Sequence, residues 1–344
     1  LVHDMPGWIH DSYGKVCSTV NGGSDGDLDG RMVYYKALDG AGSAYDFAFA
    51  MPFLNGTTGK QFVPFNTFQP SLDPADAQNL VANWVQLTNL ETTQQAGTLI
   101  FHAQDGSQLG TSVRVSLAAG ARQDFSGHQF GPNLVGIIEW QPDNSNARFQ
   151  LRNVRYLYDN PNGLNSFDTA FQLEGMVGTG ELIAVPLDTD QASAIIEVAN
   201  TAQVNQDIAV NIYKADGTWV KAPPVTLLPY GSVHIITDQI LNGQKGIATI
   251  KGTISEGVIA VAMQYGRTAT AGLEYMYGIP ARQALGSTLR SSYNTFLQQG
   301  CKLLLVNPTG SAAATTIGMV RYNGAQVLSD ELLTVPAHGL IDYN

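Results

Sequence analysis

The residues whose spacing best suits chemistry are three aspartates at alternate positions, Asp25, Asp27 and Asp29, closed by Gly30. That is the acidic spacing of a calcium loop, where ligands at positions 1, 3 and 5 precede a glycine at position 6 that makes the sharp turn. Position 12, normally a bidentate glutamate, is Lys36 here. A Ca²⁺ at this loop would therefore draw its remaining oxygens from backbone carbonyls or remote carboxylates. The competing reading is a solvated Asp/Gly turn. The corresponding hairpins, Asp143-Asn144-Ser145-Asn146 and Thr253-Ile254-Ser255-Glu256, lack the triplet, so the fold does not require it.

The other reactive residues offer less. His3, Asp4, His10 and Asp11 sit in an irregular stretch without metal-ribbon spacing, and His102, His128, His234 and His338 are scattered. Asp188 and Asp190 are paired carboxylates in a connecting loop. No nucleophile elbow, His-Glu-x-x-His or phosphate loop is present. An enzyme is not expected. Tyr34, Tyr35, Tyr45, Phe47, Phe49, Phe53 and Phe65 crowd the N-terminal part, as a glycan-stacking surface or as residues alternating into a core. Asn55-Gly56-Thr57 matches a glycosylation sequon in a turn. The two cysteines, Cys17 and Cys301, permit one disulfide or two free thiols.

Composition limits the partners. The 344 residues carry a net charge of −11, against the clustered Lys and Arg that nucleic acids or an anionic bilayer surface attract. No apolar run reaches the length of a spanning helix, so membrane insertion is not expected. A hydrophobic share of 44%, only 14% charged residues and 36 glycines suit many strands joined by tight turns. Leu1 in place of Met fits a removed leader and export.

The elements that must position these residues form a repeat. Asn89, Asn200 and Asn307 end a strand; Gly106, Gly217 and Gly324 make a turn; Gly120, Gly231 and Gly339 mark a third strand. The spacings are 111 and 107, again 111 and 107, then 111 and 108. Three markers keeping one period indicate an internal repeat. Asp105-Gly106, Asp216-Gly217 and Asn323-Gly324 are expected as two-residue hairpin turns with positive φ at both residues. Pro64 places its strand at an edge or a bend. The stretch 72–80 has the pattern of one helical turn. Each unit has about eight short strands with period-2 alternation, as in 210–214 and 113–117, and reads as an antiparallel β-sandwich.

The order of these signals is a strand with Pro, a strand ending in Asn, one ending in Asp-Gly, a Leu-x-Pro-x-Gly strand and a Gly-x-Ile strand. It resembles tandem Ig-like repeats of secreted bacterial surface proteins, best over 182–263. The resemblance implies an extracellular array of three Ig-like sandwiches of about 110 residues and carries no catalytic residues.

In that pattern's phase the chain is cut within a unit. Residues 53–175 and 176–285 are whole, while 286–344 and 1–52 are complementary parts of a split sandwich. Three readings remain. In the first the phase is shifted, giving complete units at 1–126, 127–240 and 241–344. In the second the two ends close a ring within one chain. In the third the N-terminal strands of one copy complete the C-terminal half of another, a heterologous contact that builds a fibre. Cys17 and Cys301 both fall in the split unit, where a disulfide would need Cα atoms roughly 4.4–6.8 Å apart; buried free thiols are the alternative. The expected function is a secreted or cell-surface structural subunit that polymerises with itself head to tail. The competing expectation is a monomeric adhesin or carbohydrate-binding module that recognises surface glycans.

Overall fold

The computed structural model describes residues 31–37, 45–52, 55–67, 81–158, 167–190, 192–220, 224–267, 273–284, 303–321 and 323–343, and every structural statement concerns these. The chain is all-β, and the pairings among these strands are antiparallel.

Strands β1 (Arg31–Ala37) and β2 (Tyr45–Pro52) form a hairpin. The next eight strands are β3 (Gln61–Asn66), β4 (Val81–Asn89), β5 (Gln95–Ala103), β6 (Gln108–Leu117), β7 (Arg122–Ser126), β8 (Val135–Pro142), β9 (Phe149–Tyr158) and β10 (Phe167–Glu174). They make two sheets, ordered β3-β8-β5-β6 and β10-β9-β4-β7. A second group follows: β11 (Ile183–Asp188), β12 (Ala192–Asn200), β13 (Gln206–Lys214), β14 (Trp219–Val220), β15 (Val225–Leu227), β16 (Ser232–Ile236), β17 (Lys245–Gly252), β18 (Val258–Arg267) and β19 (Leu273–Pro280). Its sheets run β11-β17-β13-β14, with β15 also on β13, and β16-β12-β18-β19. The last strands, β20 (Leu303–Asn307), β21 (Ala313–Val320), β22 (Gln326–Val335) and β23 (Gly339–Tyr343), pair as β20–β23 and β21–β22.

Alternation creates the cores. In β11, Ile183, Val185 and Leu187 are buried and the residues between them are half-exposed. They meet Ile196 and Val198 of β12 and Ala260 and Ala262 of β18 from the facing sheet. In the first group Phe65, Phe101 and Trp140 meet Val85, Leu87 and Phe149, and Trp140 lies edge-on to Phe149 at 4.8 Å. Each group of strands thus packs a core between two sheets, a sandwich-like arrangement, and the first core continues onto Val261, Met263 and Met276 of the second group. Phe65 belongs to this core and not to a surface. Pro64 lies in β3 and Pro186 in β11, both edge strands, where a missing N–H breaks no ladder.

Two local expectations need correction. In the Asp/Asn-Gly turns only the glycine has positive φ: 86° at Gly106, 85° at Gly217 and 80° at Gly324. The loops are three residues long, closed by Ala103 N–H to Ser107 O, Lys214 N–H to Thr218 O and Arg321 N–H to Ala325 O. The preceding side chain accepts from the N–H two residues on, Ser107 to Asp105 at 2.9 Å, Thr218 to Asp216 at 2.8 Å and Ala325 to Asn323 at 3.1 Å. This local bond stabilises right-handed backbone at Asp or Asn and leaves the left-handed position to glycine.

Gly120 does not correspond to Gly231 and Gly339. Its partners in the repeat are Tyr230 and His338, with φ values of 67°, 58° and 50°. Each donates its N–H to the residue two past the repeated asparagine: Glu91, Ala202 and Thr309. The three turns correspond by backbone conformation and not by residue type.

The repeated asparagine is a clamp made three times. Asn89 Nδ2 donates to the carbonyls of Thr93, Leu117 and Ala118, Asn200 to Val204, Leu227 and Leu228, and Asn307 to Ser311, Val335 and Pro336. Each Oδ1 accepts the N–H two residues on. One amide therefore fixes a strand end, the following loop and the return turn.

Candidate functional site at the junctions between sheet pairs

The two sheet pairs meet on strands whose outward faces are apolar in part. Phe62 and Ile137, from β3 and β8, pack on Ala199 and Ile259, from β12 and β18, with Met176 and Tyr230 at the margin. Buried charge flanks this patch. Glu139 on β8 receives His102 Nε2 at 2.9 Å, Gln141 Nε2 at 2.6 Å and the Lys60 ammonium at 3.0 Å. The His102 ring is covered by Tyr230, stacked at 4.3 Å and 19°.

The second cluster bridges the groups directly. Arg155 on β9 makes bonds of 3.3 and 3.1 Å to the two oxygens of Glu197 on β12. Asn66 Nδ2 donates to Glu197 at 3.2 Å, His234 Nε2 stands 3.8 Å away, and the guanidinium lies 5.6 Å from the centre of the Phe171 ring. The Arg155 and Glu197 side chains are 1% and 4% exposed.

Burial pushes both carboxyls up, but their partners outweigh it. At Glu197 the charge of Arg155, then His234, then hydrogen bonds from Arg155 and Asn66 hold the group below its ordinary 4.5. At Glu139 hydrogen bonds from His102, Gln141 and Lys60 do the same. A depressed folded-state value means the stabilisation is complete above the unfolded value and is lost as pH falls through the folded one. The melting temperature should therefore be level from neutral pH to about 4.5 and fall below it. Glu139→Gln should melt lower at neutral pH with a shallower acid decline, checked by calorimetry from pH 7 to 3; an unchanged acid slope would refute this origin.

A buried histidine–carboxylate pair has the composition of an acid–base couple. With side chains 7% and 1% exposed and Tyr230 laid over the ring, His102 and Glu139 are instead closed off and serve to hold the sheet pairs together.

A second junction joins β11–β19 to the C-terminal strands. His338 stacks on Tyr213 at 4.6 Å and 14°, and the Lys245 ammonium pairs with Asp342 and, at 3.7 Å, with Asp188. Leu340 N–H donates to Ala215 O at 2.9 Å.

Of the residues singled out in the sequence, Cys17, Cys301, Asp25, Asp27 and Asp29 lie outside the described residues, as do His3, Asp4, His10, Asp11 and the 72–80 stretch. Asn55 is exposed and lines an open cleft of about 440 Å³ with Gln61, Phe149, Glu174 and Arg282, the last two forming an ion pair. Among the described residues no cluster of His, Cys, Asp and Glu has the makings of a metal site. His102, His234 and His338, scattered in sequence, all stand at junctions. The signal that could have found two of them is aromatic recurrence: His102 and Tyr213 are 111 apart, Tyr230 and His338 are 108 apart.

No family model matches this chain, and no curated protein matches it. Among solved structures it is similar to a Bacteroides uniformis β-glucuronidase, at 12% identity and a TM-score of 0.14. It is also similar to Bacteroides uniformis β-glucuronidase 2 covalently bound to cyclophellitol-6-carboxylate aziridine, at 11% identity and a TM-score of 0.13. Each alignment covers 74% of this chain and 28% of the glucuronidase chain, so the match spans little more than a quarter of those proteins and carries no argument about activity.

Proposed function

We propose that the chain is a non-catalytic, secreted or cell-surface structural subunit built of three Ig-like units, one of them split across its two ends. Copies join head to tail when strands from 1–52 of one complete the sandwich begun by β20–β23 of another. The observation that carries this reading is the state of the C-terminal strands. They form two two-stranded sheets among the described residues, and Leu332, Val320 and Val327 are 75%, 57% and 51% exposed.

The Asn307 clamp makes β20 and β23 the counterparts of β4 with β7 and of β12 with β16. The hairpins that follow these strands in the other two groups, β9–β10 and β18–β19, resemble β1–β2 at the other end of the chain. Strand β2 lies against β10, as β10 lies against β19. A half-sandwich with an apolar face and unpaired edges is a template for strand addition, in which main-chain bonds supply affinity. Because the contact is heterologous it extends into a fibre unless it closes.

A Cys17–Cys301 bond, within one copy or between copies, is compatible with this reading without being needed by it. Ca²⁺ at Asp25, Asp27 and Asp29 is compatible with the reading without being needed by it.

Light scattering on a size-exclusion column tests the proposal. The intact chain should form concentration-dependent assemblies, and removal of residues 1–52 should abolish them. Assembly that survives the deletion would rule out strand complementation. The cleft beside Asn55 favours a second reading, a monomeric glycan binder; a strict monomer that retains glycans on an array would support that instead.

A further inference from the structure

We infer that the Asn323-Gly324 hairpin of one copy docks on the 118–121 turn of the next, an inference that rests on the head-to-tail reading and specifies its contact. The same docking occurs twice inside the chain. The β5–β6 turn sits on the turn before β16: Ser232 N–H donates to Gln104 O at 2.8 Å, and His102 stacks on Tyr230. The β13–β14 turn sits on the turn before β23: Leu340 N–H donates to Ala215 O at 2.9 Å, and Tyr213 stacks on His338.

Glycine is required at both contacts. A Cβ on Gly106 would lie 2.0 Å from Pro229 O, and one on Gly217 would lie 2.1 Å from Ala337 O. The receiving residues also hold unusual backbone. Tyr230 and His338 take left-handed φ, a backbone conformation that side-chain-bearing residues disfavour and that here aims each ring at the hairpin before it.

Hairpin docks on the following turn, and among the described residues one hairpin and one turn of this kind have no such partner. The hairpin is at Gly324, which keeps φ 80° and the Gly324 N–H to Arg321 O bond of its two counterparts, yet has nothing among the described residues within 4 Å of a Cβ. The turn is 118–121, where the bonds Ala121 N–H to Ala118 O and Gly120 N–H to Glu91 O repeat those at 228–231 and 336–339. Ala118 and Ala119 are exposed. The side chains at these ends match one another as well. Where the internal contacts stack two rings, the hairpin end carries Val320, 57% exposed, and the turn carries Gly120.

Head-to-tail completion puts these two ends in the order seen internally. A sandwich made from β20–β23 of one copy and 1–52 of the next is followed by the β3–β10 group of that next copy. Its hairpin is 321–325 and the turn it meets is 118–121. The occupant is a second copy of this chain.

Gly324→Asn tests the contact, because asparagine tolerates left-handed backbone and keeps the turn while adding a Cβ where the next copy's Ala119 carbonyl would lie. Gly243→Asn is the control, since Gly243 has φ 77° and open space around it. In sedimentation velocity on the full chain, wild type and Gly243→Asn should assemble alike, and Gly324→Asn should assemble at least about tenfold more weakly. The variant retains an intact 118–121 turn, so one part in about ten should cap and shorten wild-type assemblies. If Gly324→Asn assembles as wild type does, or fails without capping, this docking is overturned while strand complementation is judged separately by the 1–52 deletion. A wild type that stays monomeric overturns both.

Discussion

Arg155→Ala and Glu197→Ala are each expected to destabilise the protein by about 3–5 kcal/mol, because each strands the other's charge in a closed interior. Arg155 loses two bonds to carboxylate oxygens, and Glu197 loses the partner that most opposes its burial. Glu197→Ala also leaves Asn66 Nδ2 without that acceptor. The pair replaced together, Arg155→Met with Glu197→Leu, should recover most of the loss, since desolvating two charges offsets much of their attraction. The cost should be unevenly felt. Arg155 belongs to the β3–β10 group and Glu197 to the β11–β19 group, so severing their bond weakens the coupling between two cores. Urea unfolding of the single variants should show separate midpoints for Trp140, inside the first core, and Trp219, on the second group, where wild type shows one. Coincident midpoints and a loss below about 1 kcal/mol would mean the apolar patch around Phe62 and Ile259 holds the junction without the ion pair.

How far the sequence disclosed this architecture follows from the range of each interaction. Asn89, Asn200 and Asn307 were readable because one amide must reach groups a few residues away and a turn about thirty residues on, so type and spacing are both constrained. Gly106, Gly217 and Gly324 were readable because left-handed backbone restricts the residue type. Glu139, Arg155 and Glu197 were not. Alternation within a strand tells which face a residue occupies, not what covers that face, and here a second sheet pair covers it. A buried ion pair on such a face has the same sequence pattern as a solvated one. Gly120 misled for a related reason: its position demands a left-handed residue, which Tyr230 and His338 supply against steric preference because a ring is needed there.

The clamp supplies the other large effect. Asn200 is fully buried, and Asn200→Ala removes the donor from the Val204 and Leu228 carbonyls, each at 2.8 Å, and the acceptor from Ala202 N–H at 2.9 Å and Gln206 Nε2 at 2.6 Å. A buried polar group left unpaired costs about 1–3 kcal/mol, and partial relaxation of the loop toward water brings the expected loss to about 3–4 kcal/mol. Asn200→Asp should do no better, because it places a carboxylate oxygen against two carbonyls. Asn307→Ala should cost an isolated copy less, since Ser311 is exposed and its carbonyl can be solvated. Asn89→Ala combines a stability loss close to that of Asn200 with a specific one: its Nδ2 bonds to Leu117 and Ala118 at 3.1 and 2.9 Å hold the 118–121 turn in shape. Assembly of Asn89→Ala should therefore weaken more than that of Asn200→Ala when both are compared, by sedimentation, at temperatures where each is fully folded. Equal weakening would leave the clamp a stability element alone; a larger drop at Asn89 would tie the repeat's most regular residue to the contact between copies.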